Sequence, residues 1–252
     1  MRLNFAITLI KTIIMYLSWS IALLFFTLIS LPLVFLPKRW RYDNRLYFFL
    51  MNTLSHIMIT TSFVKILIQG KHYLPQYPNS PSVIIANHTS ALDIPLVDLL
   101  LGTYPHIWVS KDSYGKIPLF GRLMKNMHVL VPRHNPKKAV AALVKAIKQA
   151  SEGTRHLIMF PEGTRHSDGT IHPFHQGFAI AAQKLNRPVI PMALVGLHEI
   201  FPRKSLLCLS SKRTVHIVIG KPMTMETQES REDFIQRVQS WFEHQIKESK
   251  TP

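Results

Sequence analysis

The longest uninterrupted apolar run lies near the N-terminus: residues 12–36 hold 25 positions without a charge. Ile, Leu, Phe and Met occur throughout it, with Tyr16 and Trp19 toward one end. About 20 such residues suffice to cross a hydrocarbon core as a helix. The run is too long for the apolar core of a secretory signal, and no small-x-small cleavage pattern follows it. Pro32 lies near its end, where a helix stop or kink is tolerated. A second apolar stretch, 46–69, is interrupted by Asn52, Ser55, His56, a Thr/Ser run at 60–62 and Lys65. It is expected to pack on the first helix or lie in the interface rather than cross lipid alone.

The pattern changes after Gly70. Pro75, Pro78, Asn79, Ser80 and Pro81 form a turn-rich linker. Short apolar runs then alternate with helical periodicity. Strands are predicted at 82–86, 107–110, 128–131, 156–160, 189–195 and 215–220, and helices at 90–101, 136–150, 174–185 and 227–248. This alternation predicts an α/β fold: a mainly parallel sheet flanked by helices, with an N-terminal helical membrane anchor. The expected division is 1–70 for the membrane-associated helices and 71–252 for a catalytic domain.

Composition adds a lipid-facing and basic character. Hydrophobic residues make up 47% of the 252 positions against 17% charged, high for a chain with no lipid contact. The net charge of +16 is spread over both parts rather than held in a tail. It favours anionic partners: lipid head groups, a phosphorylated substrate or nucleic acid. Lys38, Arg39, Arg41 and Arg45, just after the long apolar run, favour the cytoplasmic side of a membrane. Cys208 is the only cysteine, so an intrachain disulfide and cysteine zinc clusters are excluded. Glycine-rich nucleotide loops, a G-x-S-x-G elbow and an H-E-x-x-H helix are absent as well.

Two loops at predicted strand ends carry candidate chemistry. The first is Asn87-His88-Thr89-Ser90-Ala91-Leu92-Asp93, between an apolar strand and a helical pattern. Strand ends of this kind are where α/β sheets place their sites. The turn can bring the Asp93 carboxylate to one nitrogen of His88, fixing the tautomer and letting the other take a proton from a hydroxyl. Ser90-x-x-Asp93 also reads as a helix capping box, in which Asp93 only steadies the helix start. The second loop is Phe160-Pro161-Glu162-Gly163-Thr164-Arg165. Gly163 lets backbone N–H groups turn toward an anion, and Arg165 offers a planar fork of donors for a phosphate. Glu162 can hold that Arg or accept from a substrate hydroxyl. An ordinary turn with a surface ion pair reads the same way. Lys111 and Arg133 also follow predicted strands, so His88, Lys111, Arg133 and Arg165 can converge on one sheet edge.

In order and spacing these pieces resemble the 1-acylglycerol-3-phosphate acyltransferase family, from about residue 83 to 196. Residues 87–93 are similar to its N-H-x-x-x-x-D block, and 160–165 to its F-P-E-G-T-R block. Met127 to Arg133 and Val189-Ile190-Pro191 resemble two further blocks, less specific ones. The resemblance implies ester formation from an acyl-CoA or acyl carrier protein donor, with His88 as general base and Asp93 as its orienter. It implies that Lys111, Arg133, Glu162, Gly163, Thr164 and Arg165 bind a phosphorylated acceptor, lysophosphatidate in the first place. No cofactor, no metal and no nucleic acid partner are implied, and the membrane site is expected on the cytoplasmic face. Two positions depart from the pattern: Pro132 stands before Arg133 where an acidic or polar residue is usual, and His175 stands where members often carry Lys. These keep another lysophospholipid or a lyso-aminolipid open as acceptor. A basic binding protein without catalysis, or a metal-dependent phosphoesterase built from the 13 histidines, are the rivals from other classes.

Overall fold

A computed structural model describes residues 2–74, 80–132, 134–166, 168–201, 207 and 214–248, with side chains from residue 6 onward. Helix α1 (Arg2–Ser30) takes up most of the long apolar run and gives way at Pro32 to a tight turn, Leu31–Phe35. Proline lacks the N–H that an α-helix would need there. A short helix α2 (Lys38–Arg41) leads to α3 (Arg45–Thr61), whose start is capped by Asn44 accepting the Tyr47 N–H at 3.0 Å. α3 packs along α1. The Trp19 indole donates to the Met58 carbonyl at 3.1 Å and to the Thr61 hydroxyl at 3.2 Å.

The stretch 46–69 is therefore not one element. α3 stops at Thr61, Phe63 turns the chain with φ 55°, and Lys65–Gln69 forms strand β1. β1 belongs to the sheet of the following domain, at its edge. The remaining strands are β2 (Val83–Ala86), β3 (His106–Lys111), β4 (Val129–Val131), β5 (His156–Met159), β6 (Val189–Val195) and β7 (Thr214–Ile219). Their order is β1-β7-β6-β2-β5-β3-β4, and every adjacent pair is parallel except β6 with β7. The mainly parallel α/β sheet predicted from the sequence is present.

The helices that follow are α4 (Asp93–Leu101), α5 (Phe120–Met127), α6 (Pro136–Ser151), α7 (Gly177–Leu185), α8 (Leu197–Ile200) and α9 (Arg231–Glu248). α5 was not among the predicted elements. Side chains of β2 alternate between two cores, as a period of two requires. Ile84 and Ala86 join the core under α1, α3, α4 and α5, whereas Val83 and Ile85 join the one under α6, α7 and α9. Both faces of the central strands are thus covered, which is why β2 and β6 read as continuous apolar runs.

Candidate active site

β2 ends at Ala86, and the loop beyond it is fastened to β6 by Asn87. Its amide nitrogen donates to the Leu194 carbonyl at 3.0 Å and its amide oxygen accepts the Leu194 N–H at 2.7 Å. The amide supplies a donor and an acceptor on separate atoms, matching the N–H and C=O of one residue. The sequence assigned Asn87 no role, because its partner lies 107 positions away.

His88 Nδ1 sits 2.8 Å from Asp93 Oδ2. A carboxylate only accepts, so Nδ1 carries the proton and Nε2 is the basic nitrogen. The same carboxylate oxygen also accepts the N–H of Thr89 at 2.6 Å and of Ser90 at 2.8 Å. The orienting and capping readings of Asp93 are therefore one arrangement. The serine half of the capping box is diverted: Ser90 Oγ donates to the Phe201 carbonyl at 3.1 Å. The His88 ring lies flat on Phe160, with centroids 3.9 Å apart and planes 5° apart.

The second loop clasps the His88 backbone from both sides. The His88 N–H donates to Glu162 Oε1 at 2.8 Å, and its carbonyl accepts the His166 N–H at 2.9 Å. Glu162 is only 4% exposed and does not line the cavity, so its carboxyl group holds the loop that carries His88. Burial pushes this carboxyl up to about 7, against the pull of hydrogen bonds from the His88 and His172 backbone. Gly163 has φ 70°, and a Cβ there would lie 2.9 Å from the His175 ring. His175 thus packs over Gly163 and is not part of the cavity wall.

A cavity of about 280 Å³ opens beside His88. Lys111, at the end of β3, stands on its wall with Thr164, Arg165, Tyr114 and His134. Four predicted residues, His88, Lys111, Thr164 and Arg165, are thereby brought together. Asp93, Glu162 and Gly163 support the wall from behind, and Arg133 lies outside the described residues. Tyr114 and His134 were missed, because an isolated Tyr or His in a loop carries no distinctive pattern.

A second, apolar cavity of about 390 Å³ runs between α1, α3, α4, α5 and β3. It shares Ile94, Ser110 and Tyr114 with the first. Trp19, Leu23, Phe26, Met51 and Met58 line it, and Asp98, Trp108, Tyr47 and His128 stand on its inner wall. These polar groups are tied to one another. The Trp108 indole donates to Asp98 Oδ1 at 2.8 Å, and Tyr47 Oη lies 2.9 Å from His128 Nε2. Burial lowers His128 well below the usual imidazole range and raises Tyr47, so both are neutral at pH 7. Among the described residues no group of three or more His, Cys, Asp and Glu is arranged to hold a metal ion.

The profile of the acyltransferase family matches residues 65–195, from the first residue of β1 to the last of β6. This chain belongs to the acyltransferase family. The match takes in both loops of the candidate site and leaves α1 to α3 and α9 of this acyltransferase-family chain outside it. A chloroplastic 1-acyl-sn-glycerol-3-phosphate acyltransferase, BAT2 of Brassica napus, is 32% identical over 81% of this chain and 57% of its own length. The enzyme of that name from Borreliella burgdorferi is 30% identical over 69% of this chain and 68% of its own length. The chain spans about half the length of several curated relatives it matches. The crystal structure of the 1-acyl-sn-glycerophosphate (LPA) acyltransferase PlsC from Thermotoga maritima superposes with a TM-score of 0.81. It covers 99% of this chain and 98% of its own at 24% identity, a likeness of fold that extends through the N-terminal helices.

Proposed function

We propose that this chain transfers a fatty acyl group from an acyl-CoA or acyl carrier protein thioester to the free hydroxyl of 1-acylglycerol-3-phosphate, giving phosphatidate. The observation that carries the reading is that the His88–Asp93 pair lies where a cationic cavity adjoins an apolar one. A lysophosphatidate offers a phosphate to the first, and an acyl chain fits the second. His88 Nε2 takes the proton of the acceptor hydroxyl while Asp93 steadies the imidazolium. The oxygen attacks the thioester carbonyl, the tetrahedral intermediate collapses with loss of the C–S bond, and the imidazolium proton leaves on the thiol. Lys111, Thr164 and Arg165 bind the phosphate, with Arg133, on its position in the sequence alone, a further candidate. Glu162 and Gly163 serve by positioning. His175, which stands where members of the family often carry Lys, packs over Gly163 away from the cavity wall.

How α1 packs supports a seat at the membrane surface. Tyr16 and Trp19 touch Phe201 at 6.2 and 5.9 Å between ring centroids, and Phe26 touches Tyr47 at 5.6 Å. α1 is long and apolar enough to cross a bilayer, but the contacts of Tyr16 and Trp19 with Phe201 tie it to the domain and favour a seat along the surface. Its outward face carries Ile10, Ile13, Leu17, Leu24, Phe25 and Leu28, all exposed. In this reading α1 lies along the surface with that face in lipid, and basic residues near Arg39 meet cytoplasmic head groups. Incubation with labelled acyl-CoA or acyl carrier protein and lysophosphatidate, with EDTA present, tests the reaction. Labelled phosphatidate is expected; no transfer to any lysolipid from either donor refutes it.

A further inference from the structure

α6 and α1 lie against opposite faces of the sheet. When α1 meets lipid, the outer face of α6 therefore meets water. α6 buries Ala142, Ala146 and Ala150 and turns Lys137, Lys138, Lys145 and Lys148 outward. Between these lysines Val140 and Val144, one turn apart, are 62% and 60% exposed. The helix has no acidic residue, and none of its four outward lysines is in an ion pair among the described residues. α9, on the same side of the sheet, instead mixes Glu232, Asp233, Arg237, Glu243 and Lys247. The basic face of α6 is thus a local feature rather than the general charge of the chain. It also starts at the site: His134 lines the cavity, and Pro136 opens α6 two residues later.

Spaced ammonium groups around two exposed valines are complementary to an acidic helix with apolar residues among its carboxylates. We infer that the outer face of α6 docks an acidic carrier protein, which presents its acyl thioester to the His88 cavity. The inference rests on the acyl-transfer reading and narrows its donor. A CoA thioester has phosphates for the lysines but, with its acyl chain in the apolar cavity, no row of apolar side chains to cover Val140 and Val144.

The test compares palmitoyl-loaded acyl carrier protein with palmitoyl-CoA, using the full chain in detergent and the variant Lys137→Glu/Lys145→Glu/Lys148→Glu. The KM for the protein donor is expected to rise roughly tenfold or more and to become less sensitive to salt, with palmitoyl-CoA kinetics within about twofold. A second variant, Val140→Ser/Val144→Ser, should weaken the protein donor alone without changing charge. Calorimetric titration with unloaded carrier protein reads docking without turnover, and its loss in the charge-reversed variant is the supporting result. If neither donor transfers in the wild type, the acyl-transfer reading fails, while the titration still decides the docking face. Equal effects on both donors, no effect on either, or no carrier binding by the wild type would each overturn the inference. So would a variant that keeps carrier binding but loses phosphatidylglycerol vesicles or RNA.

Discussion

The two sides of the His88 cavity are built by opposite means. On one side His88 is 6% exposed, Asp93 0% and Glu162 4%, and each spends its hydrogen bonds on neighbouring protein groups. On the other, Lys111, Thr164 and His134 are exposed side chains delivered by separate strand ends. In the proposed reaction the difference separates a preorganised base from an adaptable anion site. A base needs its ring set before substrate arrives, and here Asp93 holds Nδ1 while Glu162 holds the backbone N–H. A phosphate is held by several long side chains, so the removal of one is partly compensated.

That contrast is broken most severely at His88. His88→Ala should lower kcat by roughly 10²–10⁴-fold with the melting temperature little changed. A loss expressed only in acceptor KM would mean that His88 belongs to the binding side. Asp93→Asn should lower kcat by a smaller factor, on the order of tenfold to a hundredfold, because the amide can mis-set the imidazole tautomer. Asp93→Ala should in addition destabilise the fold by about 1–3 kcal/mol, since two buried N–H groups lose their acceptor. Should Asp93→Asn keep full activity while Asp93→Ala lowers only the melting temperature, Asp93 is a cap and nothing more.

The anion side should respond more gently. For Arg165→Lys we expect the acceptor KM to rise by about tenfold with kcat nearly unchanged, as the bidentate fork is lost and the charge kept. Unchanged kinetics with a phosphorylated acceptor would take Arg165 out of the site.

Glu162 sharpens the comparison through stability rather than rate. Its carboxyl titrates near 7 in the folded chain against an ordinary value of 4.5, so the folded state holds the extra proton between those values. The stability it contributes is fullest below about pH 4.5 and is lost as pH rises through about 7. Glu162→Gln keeps an acceptor for the His88 N–H but cannot ionise. Its melting temperature relative to wild type should therefore climb across that window. A flat difference would show that the buried carboxyl does not titrate there.

Much of the base side was legible in the sequence. His88 and Asp93 are five positions apart, and one turn between a strand and a helix brings them together. The Arg165 loop was legible for a similar reason, with Gly163 marking a left-handed turn at φ 70°. The boundary near residue 62 was not legible. Ile66, Leu67 and Ile68 continue the apolar run of α3, and a run so short has no period to tell strand from helix. Only pairing with β7, some 150 positions away, makes it an edge strand.

By itself the sequence determined the alternation that builds a parallel sheet, the apolar N-terminal helix and the two loops of the candidate site. Each of these is written in residues close enough along the chain for local sterics, capping and periodicity to act. The tertiary structure alone decided that Glu162 holds the His88 backbone instead of standing on the wall. It alone made the apolar cavity between α1, α3, α4, α5 and β3, and set the basic face of α6 opposite α1. Those depend on contacts between segments far apart in the chain, and long-range packing leaves no periodic trace in any one of them.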